Sequence, residues 1–352
     1  MVEQVSFEKV LEEVIKTGKC TNCSACEAIC FLSSKAVISH DDKFNRIYDT
    51  DGCDKCGYCY TCCPRSNFRE SENASILKKN RLGDYISIGT YKTSLDELKD
   101  NYQDGGMVTS LLLYLLDKDL IDAALITRKL ENWVPETFIT NDRDEIINSA
   151  GTIYATYPIF DALKALHDLE GADLEKFGVS NADDLRVCMV GLPCTLAALH
   201  NMEALEVFPA NLIKVKIGLF CYENFDHDVL FNKKLKSDMK IPLEKIKSMN
   251  IKGNMIITLK DGKVIELKPE EFQPLAREGC HWCDDLTSLH SDISCGGIGA
   301  DQGYTSVVIR TNSGLDIVQR AMKAGYVEQG PPSKAKLMRI ISRKKMKKQK
   351  KD

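Results

Sequence analysis

The chain has no apolar run long enough to cross a bilayer. Its longest, Met107 to Leu116, stops at Asp117, far short of the ~20 residues a membrane helix needs. The opening Met1-Val2-Glu3-Gln4 has neither a basic start nor an apolar stretch behind it, so no secretory signal is expected. No catalytic triad or carboxylate dyad stands out. No basic patch with interleaved aromatics marks a nucleic-acid surface. These absences turn the reading away from membrane spanning, secretion, acid–base hydrolysis and nucleic-acid binding, and towards a cytoplasmic chain. With 352 residues, 43% hydrophobic and 28% charged, it is long enough for two domains and a sizeable core.

What the chain has in excess is cysteine, fifteen in all, nine of them between Cys20 and Cys63. In a reducing compartment clustered thiols hold metal more often than they form disulfides. Cys20-x2-Cys23-x2-Cys26-x3-Cys30 and Cys53-x2-Cys56-x2-Cys59-x3-Cys63-Pro64 repeat one pattern. Three thiolates in a tight turn can wrap three irons of a cubane, and the fourth cysteine points to the neighbouring cluster. Two 4Fe-4S clusters are therefore expected. One would be held by Cys20, Cys23, Cys26 and Cys63, the other by Cys53, Cys56, Cys59 and Cys30. Zinc also takes four thiolates, but as separated Cys-x2-Cys pairs. Phe31 stands where the first run usually has proline, and Cys62 reads as a small buried thiol rather than a ligand.

Phe7 to Lys16 has the apolar spacing of a short helix leading into the first run. Residues 1–65 then form a dicluster ferredoxin-like domain, and 66–83, polar and aperiodic, reads as a linker. From residue 84 strands alternate with helices, which implies an α/β domain reaching about residue 330. Strands are expected at Tyr85 to Tyr91, Ala123 to Thr127, Leu185 to Val190, Ile213 to Phe220 and Ser306 to Arg310. Helices are expected at Met107 to Leu116, Ile159 to Leu169, Thr195 to Met202 and Leu315 to Ala324. Asp261-Gly262 between two short apolar runs predicts a hairpin. Residues 331–352 form a basic tail. Its last ten carry seven Lys/Arg against one Asp, while the whole chain is at −4. Such a block reads as a solvated tail, with an anionic membrane surface or an acidic partner as the alternatives.

A second cysteine set lies at turns: Gly191-Leu192-Pro193-Cys194, Gly218-Leu219-Phe220-Cys221 and Gly279-Cys280-His281-Trp282-Cys283. Strand ends on one side of an α/β sheet converge, so these can share a site. A third cluster, a zinc site or a redox pair all fit that spacing. Cys188 reads as core, and Cys295 is ambiguous. Two small-residue turns also stand out, Asp104-Gly105-Gly106-Met107-Val108-Thr109 at a helix start and Ser149-Ala150-Gly151-Thr152-Ile153-Tyr154. Adjacent glycines let a ligand approach backbone N–H groups at a helix end, though a plain turn and helix capping explain them equally. Neither has the spacing of a Rossmann fingerprint.

Taken together, these motifs, with Ile217 to Phe225 and Ser291-Asp292-Ile293-Ser294 leading to Gly303-Tyr304-Thr305, make the chain resemble the coenzyme F420 hydrogenase/dehydrogenase beta-subunit family, in the version with an N-terminal dicluster ferredoxin domain. The likeness runs from Cys20 to about Val327 and leans towards electron-input subunits of reduced-F420 dehydrogenases. It implies a non-covalent FAD, a third 4Fe-4S cluster and a docking surface for coenzyme F420. The implied cluster ligands are Cys194, Cys221, Cys280 and Cys283. The implied flavin contacts are Gly105, Gly106, Thr109, Gly151 and Tyr154. Ile153 replaces a lysine common in relatives, and Leu192 and Thr195 also depart from the usual pattern. The implied partner is a dehydrogenase, hydrogenase or heterodisulfide reductase complex, or a ferredoxin, with peripheral membrane contact only through that partner. The chain lacks the paired terminal Cys-x2-Cys motifs of a nickel–iron subunit. Two competing readings are a ferredoxin-dependent FAD and iron–sulfur reductase of another conjugated substrate, and a non-catalytic electron adaptor.

Overall fold

A computed structural model describes residues 5–33, 35–41, 45–98 and 102–348. In chain order the strands are β1 (Ile38–His40), β2 (Arg46–Tyr48), β3 (Ser87–Thr93), β4 (Ala123–Lys129), β5 (Pro135–Thr140), β6 (Val187–Gly191), β7 (Ile213–Leu219), β8 (Ile246–Lys252), β9 (Asn254–Leu259), β10 (Val264–Leu267), β11 (Ile293–Gly296), β12 (Thr305–Ile309) and β13 (Val327–Gln329). Eight of them make one mixed sheet in the order β13-β3-β12-β11-β7-β6-β4-β5. The central strands β11, β7, β6 and β4 run parallel, and the outer ones are antiparallel.

Alternate side chains of the parallel strands feed two different cores, as a period of two demands. Ala123, Leu125, Val187 and Met189 face one core. Ala124, Ile126 and Cys188 face the other. Burial on both faces explains why these strands read as continuous apolar runs. The second core is completed by the helices Met107–Asp117 and Asn312–Lys323. The first is completed by the helices Asp161–His167 and Pro193–Glu203 and by the N-terminal cysteine-bearing unit itself, through Phe7, Val10, Ala28, Ile29 and Cys62. That unit thus covers one side of the α/β layer and shares its core.

The expected hairpin forms as β9–β10, with Gly262 at φ 87° in the turn. β8 joins it to make a separate three-stranded antiparallel sheet. The other expected strands and helices lie close to their predicted places. The N-terminal helix is α-helical only over Phe7–Val10 and widens to a π turn over Leu11–Ile15.

Two segments differ from expectation. The segment 66–83 is not an irregular linker, because Asn67–Lys79 is a helix and both Leu77 and Leu82 are fully buried. Its few apolar residues hide the periodicity, yet Leu77 is fully buried. The basic tail 331–352 is not a solvated coil over its described part. Ala335–Lys347 is a helix whose Met338, Ser342 and Lys345 are buried. These fall at i, i+4 and i+7, one helical face, and residues 349–352 of the tail lie outside the described residues. Among the described residues no helix is long and apolar enough to cross a membrane.

Leu77→Ala is expected to lower the free energy of unfolding by about 2–5 kcal/mol, as for other buried leucines. Lys78→Ala, on the exposed side of the same helix, should change it by less than about 0.5 kcal/mol. Denaturant titration of anaerobically purified protein checks both. Equal effects would restore the linker reading.

Candidate functional site

Twelve of the fifteen cysteines fall into three groups of four. Cys30, Cys53, Cys56 and Cys59 line one cavity of about 10 Å³ with Phe7, Val37 and Tyr58. The fourth cysteine of the first run therefore sits with the first three of the second. Cys63 lies by Cys23, Cys26 and Cys20 of the first run. Burial pushes its thiol well above the ordinary value, and charges on Cys23, Cys26 and Cys20 act in the same direction. Cys30 thus lies with the second run, and Cys63 lies near the first. Cys62 is fully buried, with its Sγ 3.5 Å from the Cys59 carbonyl.

Cys194, Cys221, Cys280 and Cys283, the third group, meet at a cavity of their own, the third cavity below. Cys194 enters from the first turn of Pro193–Glu203, where Pro193 at the first helical position fixes the turn directly after β6. Cys221 follows the carboxyl end of β7, the parallel neighbour of β6. Cys280 and Cys283 come from the tight turn Glu278–Trp282. The sequences Gly-Leu-Pro-Cys and Gly-Leu-Phe-Cys are adjacent strand ends, where α/β sheets place their sites. All four thiols line one cavity of about 30 Å³, together with Thr21, Arg65, Thr156 and Lys345, where about 10–15 Å³ suffices for a water. Among the described residues no three His, Cys, Asp or Glu side chains are grouped to hold a single metal ion. In a cubane each thiolate binds its own iron, so its sulfurs surround a volume and do not meet at one point.

Buried cations accompany these thiols. Arg65 is 6% exposed and donates from Nη1 to the Trp282 carbonyl at 3.2 Å. Its buried Nε has no hydrogen-bond partner, an uncommon state for a buried donor. Lys345 donates from Nζ to the carbonyls of Cys221 (2.5 Å) and Asp285 (2.7 Å). Four soft thiols, two cations and an unpaired donor make a donor set that fits an anionic, sulfide-bearing cluster. Neither cation was legible in the sequence.

This cavity abuts the first cysteine run. A Cβ on Gly279 would lie 2.3 Å from the Cys20 carbonyl oxygen, so only glycine permits the approach. Arg277 donates from Nη1 to the Thr21 carbonyl at 2.5 Å. The thiol of Cys194 is pushed up to about 12 by burial, then by Cys283 and by Cys23 of the first run.

The two small-residue turns also meet, since the Thr152 amide donates to Gln103 Oε1 at 3.0 Å. Gly105 is wedged between β3 and β12, where a Cβ would sit 2.5 Å from the Tyr91 oxygen and 2.6 Å from the Thr305 nitrogen. Gly106, at φ 68°, caps Met107–Asp117, and Thr109 is buried in the first turn of that helix. Gly151, at φ 113°, has open space around its Cα. The Tyr154 hydroxyl accepts from the Ile251 amide at 3.0 Å, tying this turn to β8. Asp104 pairs with Lys252 of β8 at 3.3 Å, an ion pair that sequence reasoning missed. From Tyr154 the chain bridges to Phe225 and reaches Thr156 on the third cavity. Cys188 and Cys295 are both core residues.

The class is that of a mixed α/β protein with a cysteine-lined pair of strand ends, and comparison gives the particular family. Residues 91–164 match the N-terminal part, and residues 184–335 the C-terminal part, of the coenzyme F420 hydrogenase/dehydrogenase beta subunit. The chain is 31% identical over 328 residues to a subunit of the F(420)H(2) dehydrogenase of Methanosarcina mazei, covering 89% of this chain and 86% of that one. It is 29% identical to the coenzyme F420-dependent sulfite reductase of Methanocaldococcus jannaschii, covering 88% of this chain and 47% of that longer one. In three dimensions it resembles a chain of the F420-reducing [NiFe] hydrogenase complex from Methanosarcina barkeri, with a TM-score of 0.69 and 26% identity over 76% of this chain and 91% of that one. The chain belongs to the coenzyme F420 hydrogenase/dehydrogenase beta-subunit family.

The glycine geometry gives a paired test. Gly279→Ala forces a Cβ against backbone, and should cost about 1–3 kcal/mol and part of whatever iron the purified chain carries. Gly151→Ala meets no atom and carries only conformational strain, of about 1–3 kcal/mol, so its iron content should stay at the unmodified level. Unfolding midpoints and iron analysis read the two effects apart.

Proposed function

We propose that the chain is the F420-facing electron-transfer subunit of an oxidoreductase complex, in which hydride is exchanged between coenzyme F420 and FAD and single electrons pass through three 4Fe-4S clusters to or from a protein partner. The observation that carries this reading is the continuity of the site. The turn Gly151–Tyr154 leads to the cavity of Cys194, Cys221, Cys280 and Cys283, and that cavity abuts the first cysteine run at Gly279.

The two crossed groups, Cys20, Cys23, Cys26 and Cys63 with Cys53, Cys56, Cys59 and Cys30, would hold two clusters, and the third cavity would hold another. Gly105, Gly106, Thr109, Gly151 and Tyr154 would frame the flavin, with Asp104 and Lys252 fixing the turn against β8. When bound, FAD supplies the conversion between the two-electron hydride chemistry of a deazaflavin and the one-electron chemistry of iron–sulfur clusters. The protein's part is to fix spacing, exclude water and set potentials. It needs no acid–base dyad for hydride exchange. Tyr154, whose hydroxyl is engaged with Ile251 and is held protonated by burial, serves as scaffold.

The named relatives favour F420 as the hydride carrier, and two of them are a subunit or a part of a complex. The sulfite reductase relative favours a second reading, in which such a chain feeds a reductase of another substrate. A purely adaptor role predicts no flavin, whereas the proposed role predicts about one FAD per chain.

Full-length protein reconstituted with iron, sulfide and FAD should reduce a viologen dye with reduced F420, and no transfer would overturn the reading. Cys63→Ser should cost the first run's cluster and leave the second, while Cys30→Ser should do the converse. Flavin content should be unchanged in both. Iron counts and low-temperature EPR of each variant report the crossing.

A further inference from the structure

The C-terminal basic helix Ala335–Lys347 is seated along its whole described length. Met338 packs with Leu82 and Val308, and Ser342 donates from Oγ to the Arg81 carbonyl at 2.8 Å. Beyond the helix end, Lys348 donates from Nζ to Glu223 Oε2 at 2.7 Å. Between these anchors Lys345 is only 3% exposed. A lysine buried to this extent is rare unless it is paired, yet its two hydrogen-bond partners are neutral carbonyls, those of Cys221 and Asp285. The negative charges facing it are the thiols of the cavity it lines and the carboxylates of Asp284, Asp285 and Glu223.

We propose that Lys345 is the residue that sets the reduction potential of the third cysteine site, its buried ammonium offsetting the negative charge the site gains on reduction. This rests on the proposed cluster at Cys194, Cys221, Cys280 and Cys283. Reduction adds one electron to the cluster and moves no proton, because the ammonium is already protonated. In a low-dielectric wall a fixed positive charge stabilises the more negative, reduced form. The two carbonyls aim the ammonium and keep it from swinging to solvent. Reduction potentials of such clusters respond to net charge and to hydrogen bonding around the sulfurs, and Lys345 is placed to act on the first of these. The basic tail thereby has a specific task at one position, while its exposed lysines stay at the surface.

The test is an EPR-monitored redox titration of the full-length, anaerobically reconstituted chain, with iron and sulfide analysis. Lys345→Met should lower the reduction equilibrium of one cluster at least tenfold, which for a one-electron couple is about 59 mV, and leave the other two unmoved. Lys345→Gln, which keeps N–H donors for the two carbonyls but no charge, should give the same shift. Lys345→Arg should stay near the unmodified value. If both uncharged variants lose one cluster and the arginine variant keeps it, the charge is required at that site, and the proposal stands. An unchanged potential in either uncharged variant, or loss of the cluster from all three, overturns it. An unmodified chain holding only two clusters would instead sink the underlying third-cluster reading.

Discussion

The structure depends on one close approach between backbones, Gly279 against the carbonyl of Cys20. Without a side chain at 279, the turn that carries Cys280 and Cys283 lies flush on the loop that carries the first cysteine run. Domains joined within a chain are by default free to move against each other. A one-electron path between two buried sites needs a fixed spacing. The seam is held by contacts drawn from distant parts of the chain: Arg277 to the Thr21 carbonyl, Arg65 to the Trp282 carbonyl, Asn201 to the Cys62 carbonyl, and Lys164 paired with Glu27 at 2.6 Å. The shared core through Phe7, Ile29 and Leu125 makes the cysteine-bearing unit one side of the α/β layer.

The second constraint is charge. Collecting thiolates in a desolvated space is costly unless positive groups accompany them. Burial disfavours the guanidinium of Arg46, but Cys26, Cys20 and Cys23 outweigh it and hold the group charged at the first run. Arg65 and Lys345 stand in the same relation to the third cavity. These cations come from β2, from the residue two past Cys63, and from the last helix. The three segments are far apart in sequence and are brought together by the fold.

What was legible in the sequence follows from how local each cause is. The two cysteine runs were readable because each repeats one spacing within eleven consecutive residues. The hairpin at Asp261-Gly262 and the helix from Met107 were readable because turn chemistry and a nearly unbroken apolar run act within a dozen residues. The strand β11 was not. Its Ile293-Ser294-Cys295-Gly296 is a weak strand former on its own, extended because β7 and β12 pair with it on either side, and tertiary context sets strand preference. The helix Asn67–Lys79 was hidden because Leu77 is among its few apolar side chains. Lys345 was hidden because composition assigns a lysine-rich terminus to solvent, and no local pattern states that one lysine in it reaches Asp285, 60 residues away in sequence. The glycine turns were legible as turns only. That Gly105 serves packing between β3 and β12, while Gly151 faces open space, required the strands to be in place.

Serial order follows from these contacts and bears on the competing readings. The Gly151–Tyr154 turn reaches the third cavity through Thr156, the third cavity reaches the first run through Gly279, and the first run exchanges its fourth cysteine with the second. A docking domain with no redox role would have no need to bring four cysteines to two strand ends and one turn, nor to bury a lysine beside them. Each of those features costs stability. Buried thiols and a buried ammonium weaken a core that apolar side chains could fill at lower cost. A chain that keeps such features at one end of its sheet, and packs them against the cysteine runs, carries a cost that the proposed movement of charge between them explains.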